Sequence, residues 1–256
     1  MISGRFIKIW QRNFIVYKRI WKISFLPPLL EPLFYLLAFG LGMGTLIGAV
    51  TYMETEYTYA QFIAPALIAI TIMYGGFFEN TYASFVRMFY QKTFDAMLAT
   101  PLTIDDIITG EIVWGATKSL IATVIMTAVI SCFGLMSYPE TLLLIPVAFI
   151  GGFAFGSIGM FFTGIVPSIE MFNLPIFLFI TPMFLFSGTF FPVGNLPGWA
   201  QGAALAFPLT HLVILVRSIT FGLLRPELLW NCLYLVLFGA FWFPLALRVM
   251  KRRLII

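Results

Sequence analysis

Charged residues are spaced so widely along this chain that the stretches between them read as membrane spans. The intervals between Glu31 and Glu54 and between Glu56 and Glu79 each hold 22 residues without a charge. Those between Lys118 and Glu140, Glu140 and Glu170, and Glu227 and Arg248 hold 21, 29 and 20. About 20 mostly apolar residues suffice to cross a bilayer as a helix. The interval between Glu170 and Arg217 holds 46 residues, with His211 its only titratable group, and Pro192, Gly194, Pro197 and Gly198 interrupt it. It reads as one helix to about Gly188, then a loop and a partly inserted hairpin over 192–222. Six spans are predicted, near 29–50, 59–82, 107–133, 141–166, 169–188 and 228–248, in one domain over 1–256.

Two further segments are periodic without being spans. Over 4–22, at 100° per residue, Phe6, Trp10, Phe14, Tyr17 and Trp21 fall within roughly 80° of one another, and Arg5, Lys8, Arg12, Lys18, Arg19 and Lys22 face away. That pattern predicts an amphipathic interfacial helix, ended by Pro27 and Pro28. It suits a lipid anchor and a transmitter of motion equally. Residues 84–100 predict a second amphipathic helix, with apolar Phe85, Met88, Phe89, Phe94, Met97 and Leu98, ended by Pro101. It could dock into a partner or lie on the membrane as an ordinary loop. Thr103 can cap the next helix, with Asp105 and Asp106 in its first turn.

Composition narrows the class. The chain has 256 residues, 61% hydrophobic and 10% charged, and a mean hydropathy of +0.98. So few charges cannot cover a soluble surface, which excludes a cytosolic enzyme, a secreted disulfide scaffold and a disordered chain. The net charge of +4 does not indicate nucleic acid, because the basic residues flank the spans. Arg5, Lys8, Arg12, Lys18, Arg19, Lys22, Arg87, Lys92, Arg248, Lys251, Arg252 and Arg253 fall on one side, Arg217 and Arg225 on the other, so both termini are expected to be cytoplasmic. No cleavable signal peptide is expected, since the first apolar span begins late and six positive charges precede it. Cys132 and Cys232 read as buried thiols, although a disulfide is topologically possible.

Three ionisable residues, Glu79, Glu111 and Lys118, fall within or beside the second and third spans. Charges there are costly and usually paired. They read as an ion pair that fixes helix packing or as a contact for a substrate headgroup. His211 lacks the acidic, histidine or cysteine neighbours of a metal or catalytic site and reads as a packing or hydrogen-bonding residue. Residues 110–119 hold Gly-x4-Gly followed by Ala-Thr-Lys-Ser, a near miss to a P-loop. The lysine does not follow the second glycine, and the segment lies on a membrane helix rather than after a strand.

The order of elements is an amphipathic helix, two spans, a basic and aromatic loop helix ended by a proline, then four spans. It resembles the permease subunit of type-2 ABC exporters. A second likeness lies in Ser187-Gly188-Thr189-Phe190-Phe191-Pro192, Leu196-Pro197-Gly198-Trp199 and Phe207-Pro208-Leu209-Thr210-His211, followed by Arg217 and Gly222. This is similar to the family's stretch after its fifth span, in the branch that holds the nodulation-factor (lipo-oligosaccharide) exporter permease and its drug-export relatives. The resemblance covers nearly the whole chain. It implies a bacterial cytoplasmic-membrane subunit, not itself an enzyme, that binds no cofactor or metal. It would pair with a second copy of itself along spans one and five and with two P-loop ATPase subunits that hold ATP and Mg. It further implies that 84–100 is the coupling helix, with Phe85, Arg87, Gln91, Lys92, Phe94 and Asp95 at the ATPase contact. The hairpin would close the outer end of the channel, with Phe191, Pro192, Pro197, Trp199, Pro208, His211 and Arg217 as gate residues. The implied substrate is an amphipathic lipid-linked glycan. A hydrophobic drug, or ion-coupled secondary transport by a different kind of carrier, are the alternatives.

Overall fold

The computed structural model describes residues 3–255, except for the side chains at 25, 27–29, 31, 32, 40, 41, 43, 45 and 46. The first helix, α1, runs Phe6–Tyr35 with a break at Ile20 (φ −113°, ψ 15°). It widens into π-type turns over Leu36–Met43 and ends in a single turn, Gly44–Ile47. A short antiparallel hairpin follows, β1 (Ala49–Tyr52) with β2 (Thr55–Thr58), in the register Ala49 opposite Thr58. The remaining elements are helical: α2 (Tyr59–Tyr90), α3 (Thr93–Leu98), α4 (Ile104–Cys132), α5 (Glu140–Ile165), α6 (Ile169–Phe186), α7 (Gly198–Leu205), α8 (Pro208–Thr220) and α9 (Leu228–Leu254).

This is an all-α polytopic membrane protein. Among the described residues five helices are long and apolar enough to cross a bilayer, namely α2, α4, α5, α6 and α9. They coincide with the second to sixth predicted spans. The pair α7 and α8 passes the same test only together, across an 85° bend, where the broken hairpin was expected. The predicted first span, 29–50, is composite: the end of α1, the wide helical stretch and the start of β1.

Two expectations about helix ends are corrected. Pro27 and Pro28 do not stop α1, and the chain bends seven residues before Pro27, at Ile20. Away from water a helix that loses ladder bonds to proline is still better satisfied than an open coil. Residues 84–100 do not form one helix. Positions 84–90 complete α2, Lys92 takes a left-handed conformation (φ 52°), and only Thr93–Leu98 is a separate short helix. The capping expectation holds: the Thr103 side chain accepts from the Asp106 backbone N–H, and Asp106 accepts in return from Thr103.

Helices α2, α4 and α5 form the centre, and they approach closely because small residues line their seams. A Cβ at Gly76 would meet the Gly152 carbonyl oxygen at 2.5 Å, and one at Gly152 would meet the Ser119 Cβ at 2.8 Å. Hydroxyls bridge the same seams, Ser119 to the Ile72 carbonyl (3.1 Å) and Thr163 to the Asn80 carbonyl (2.6 Å). The apolar interior has two parts. The larger gathers Ile63, Ile68, Phe77, Phe155, Leu209 and Val216. The smaller, at the end that carries both chain termini, gathers Ile9, Phe85, Phe94, Ile108, Phe172 and Met250. There Ser3 donates to Asp106 and Lys251 pairs with Asp105 at 2.7 Å. The two thiols are free, and Cys132 is exposed rather than buried as expected.

Gly76→Ala is expected to destabilise the protein by about 1–3 kcal/mol, because backbone rather than a flexible side chain meets the new methyl. Gly202→Ala, with nothing within 4 Å of the new atom, is expected to be neutral. Thermal unfolding of both variants in the same detergent checks the contrast.

Candidate functional site

The ionisable residues of the spans converge. Arg87 donates from Nε and Nη2 to Glu111 Oε2 (2.8 and 2.5 Å) and from Nη1 to Glu79 Oε1 (2.8 Å). Lys118 Nζ donates to the other oxygen of Glu79 at 2.7 Å. Neutral donors complete both carboxylates: Ser84 (2.7 Å) and Asn13 (2.8 Å) on Glu111, and Trp114 Nε1 (3.1 Å) on Glu79. Both glutamates are buried. Lys118 therefore pairs with Glu79 of α2 and not with Glu111, two turns away on its own helix.

Local helix geometry makes the cluster possible. Glu79 and Arg87 are eight residues apart, and to lie on one face two turns apart they need four residues per turn. A regular α-helix has 3.6. The π-type turns at Glu79–Ala83 and Val86–Tyr90 are wider and bring the two side chains into line. Such turns are frequent at functional sites. The first half of α1 closes the cluster from outside. Its aromatic stripe packs on α4 rather than facing lipid: Trp10 donates to Thr117 (2.9 Å), and the Phe14 and Tyr17 rings meet the Trp114 ring edge-on. Asn13, which sequence reasoning passed over, borders that stripe, 20° beyond Phe6 at 100° per residue. A polar residue at the edge of the aromatic face, between Ile20 and Phe6, was the available signal. Arg12 donates to Asn13 Oδ1 (2.8 Å), and burial lowers its pKa against the opposing influence of Glu111.

The other residues singled out between 84 and 100 separate into two sets. Phe85 and Phe94 are fully buried in the smaller core, and Arg87 belongs to the charge cluster. Gln91, Lys92 and Asp95 are exposed at the tip between α2 and α3, with Lys92 and Asp95 3.9 Å apart. Phe94 thus roots a short turn whose polar residues face outward.

At the opposite end, Pro208 opens α8 after the bend. Arg217 is buried, donates to the carbonyls of Gly188 (2.9 Å) and Phe62 (3.3 Å), and lies over the Phe62 ring at 3.9 Å. His211 stacks on Tyr234 (3.9 Å), with Nε2 at the Leu205 carbonyl (2.9 Å) and Nδ1 at Asn231 Oδ1 (2.8 Å). Phe191, Pro197 and Trp199 are exposed on the loop and α7, and Pro192 is half-buried. No group of three or more His, Cys, Asp or Glu residues able to hold a metal occurs among the described residues.

Comparison with known proteins sets this architecture in a family. The profile described as ABC-2 type transporter matches residues 5–221. The chain belongs to the ABC-2 type transporter family. It is 37% identical over 216 residues to Nodulation protein J of Rhizobium meliloti (strain 1021), covering 84% of this chain and 81% of that one. It is 33% identical over 249 residues to Nodulation protein J of Sinorhizobium fredii (strain NBRC 101917 / NGR234), covering 97% and 94%. It is 24% identical over 207 residues to the inner membrane transport permease YadH of Escherichia coli (strain K12), covering 80% and 78%. As a member of this family the chain is a membrane transport permease.

Glu111→Ala is expected to cost about 3 kcal/mol, because it removes the carboxylate that takes two of the N–H donors of the largely buried Arg87 and leaves it only Glu79. Replacing Arg87 and Glu111 together with methionine should recover much of that loss. Unfolding of the single and double variants in one detergent measures the coupling.

Proposed function

We propose that this chain is the membrane-spanning subunit of an ATP-driven exporter that moves an amphipathic lipid-linked glycan or lipo-oligosaccharide out of the cytoplasm. Identity to Nodulation protein J over most of both chains carries this reading. In it the permease lies in the bacterial cytoplasmic membrane with both termini cytoplasmic. It works as two copies with two P-loop ATPase subunits, and those subunits hold ATP and Mg. The shared end of Ser3, Asp105 and Lys251 agrees with the two termini lying on one side, and the basic residues at that end agree with the cytoplasmic side. The ATPase contact is assigned to the exposed tip of Gln91, Lys92 and Asp95, with Phe85 and Phe94 as its buried support. Arg217 and the α7–α8 bend make the outer gate. A hydrophobic drug is the second reading. It is favoured by α6, whose exposed Leu174, Phe177, Leu178 and Leu185 offer a sugar no polar partner.

Co-expression with the candidate ATPase and hydrolysis assays in lipid nanodiscs test the assignment. Lys92→Glu with Asp95→Lys keeps opposite charges at the tip and touches nothing buried, so insertion should be unchanged while permease-dependent ATP hydrolysis and export fall at least about tenfold, the loss of one or two charged contacts. Full activity of the swapped variant would remove the tip from the contact, and failure to form any complex with an ATPase would overturn the ATP-driven reading.

A further inference from the structure

An open cleft of about 440 Å³ lies beside the charge cluster, between α1, α2 and α4. Its polar lining includes Arg12, Tyr17, Arg87 and Lys118 together with the Glu79 carboxylate that Arg87 and Lys118 already neutralise, and Val16 and Ile20 continue it as an apolar wall. The carboxylates of the cluster are satisfied from within: Glu111 by Arg87, Ser84 and Asn13, and Glu79 by Arg87, Lys118 and Trp114.

The cations are not satisfied to the same degree. A guanidinium has five N–H donors and an ammonium three. Arg12 gives one hydrogen bond, to the neutral Asn13 amide, and no carboxylate lies within ion-pair distance of it among the described residues. Lys118 gives one bond to Glu79, and its side chain is 35% exposed. The Tyr17 hydroxyl has no hydrogen-bond partner among the described residues. Three cations therefore face two carboxylates, and the spare donors of Arg12, Lys118 and Tyr17 line one cleft. One negative charge with several acceptor oxygens completes that arrangement, as a phosphate diester does.

The apolar wall identifies what the phosphate is attached to. Val16 and Ile20 are 44% and 48% exposed, and Ile23 beyond them is 77% exposed, a continuous greasy flank leading out of the cleft along α1. Lys18, Arg19 and Lys22 are also exposed on α1, and a basic amphipathic helix attracts anionic headgroups. We propose that the cleft binds the phosphate of an anionic phospholipid, with Arg12, Lys118 and Tyr17 donating to its oxygens and its first methylenes along Val16 and Ile20. The bound lipid ties α1 to α4 through donors that the protein leaves spare. This site goes beyond the transport reading and stands whatever the chain exports.

Native mass spectrometry of the full-length chain in detergent, titrated with phosphatidylglycerol or phosphatidylcholine of matched chains, tests it. The parent should bind phosphatidylglycerol more tightly than phosphatidylcholine. Arg12→Gln should weaken phosphatidylglycerol binding about tenfold, the loss of one charge-assisted bond, and Arg12→Lys should restore part of it. Tyr17→Phe, which keeps the ring packing, should weaken it a few-fold. The one side-chain hydrogen bond of Arg12 among the described residues goes to its neighbour Asn13, so thermal unfolding should confirm that these variants remain folded. Equal affinity for the two lipids, or unchanged phosphatidylglycerol binding in folded Arg12→Gln, would overturn the proposal. Displacement of phosphatidylglycerol by inorganic phosphate at the lipid's own concentration would overturn the lipid assignment in favour of a soluble anion.

Discussion

A carboxylate on a membrane helix must find its counter-charges inside the protein, because hydrocarbon supplies neither water nor ions. Glu79 and Glu111 impose that demand here, and much of the terminus-bearing half is arranged around meeting it. The fork of Arg87 spans both carboxylates, Lys118 and Trp114 complete one, and Ser84 and Asn13 complete the other. Four of these groups come from α2 and α4 themselves, whereas Asn13 comes from a helix outside the bundle. The docking of α1 is thus required by hydrogen bonding as well as by its aromatic packing. Losing one partner takes compensation away from a buried charge, and that is costly where water cannot replace it.

Close packing serves the same end. The backbone contacts at Gly76, Gly152 and Ser119 bring α2, α4 and α5 near enough for side chains of different helices to share hydrogen bonds. Lipid offers no hydrophobic drive for helices to associate, so van der Waals fit and interhelical bonds carry the association. The exposed apolar surface of α6 and α9, including Phe177, Leu178, Leu229 and Phe241, is what hydrocarbon or a second protein surface would cover.

Much of this architecture was legible along the chain because its causes are local. Intervals between charges located five helices, prolines located the α7–α8 break, and Thr103 with Asp106 marked a helix start. The charge cluster was half legible. Glu79, Glu111 and Lys118 stood out as charges in apolar surroundings, but Arg87 looked like a loop residue. Its true place depends on wide turns that no periodicity of 3.6 anticipates, and on Glu111 from another helix. The segment 84–100 misled for a related reason. Its apolar face was read as available for docking, yet Phe85, Met88 and Phe94 are already docked on their own protein. An amphipathic pattern states that one face will be covered and leaves open what covers it. The break at Ile20 has no signal in its own residue type, since the nearby prolines drew attention to the wrong position.

The 32-residue helix α2 touches nearly every part of this account. Near its first turn the Phe62 carbonyl and ring hold Arg217. Further along come the tight seam at Gly76 and the charges at Glu79 and Arg87, and Tyr90 brings it to the exposed tip. At about 1.5 Å per residue a helix of this length extends about 48 Å, far enough to run from one end of the bundle to the other. One continuous helix therefore joins the exposed tip, the glycine seam and the carbonyl that holds Arg217. The two wide turns lie between the glycine seam and the tip, so the departures from regular helix geometry fall on the side that carries the charges.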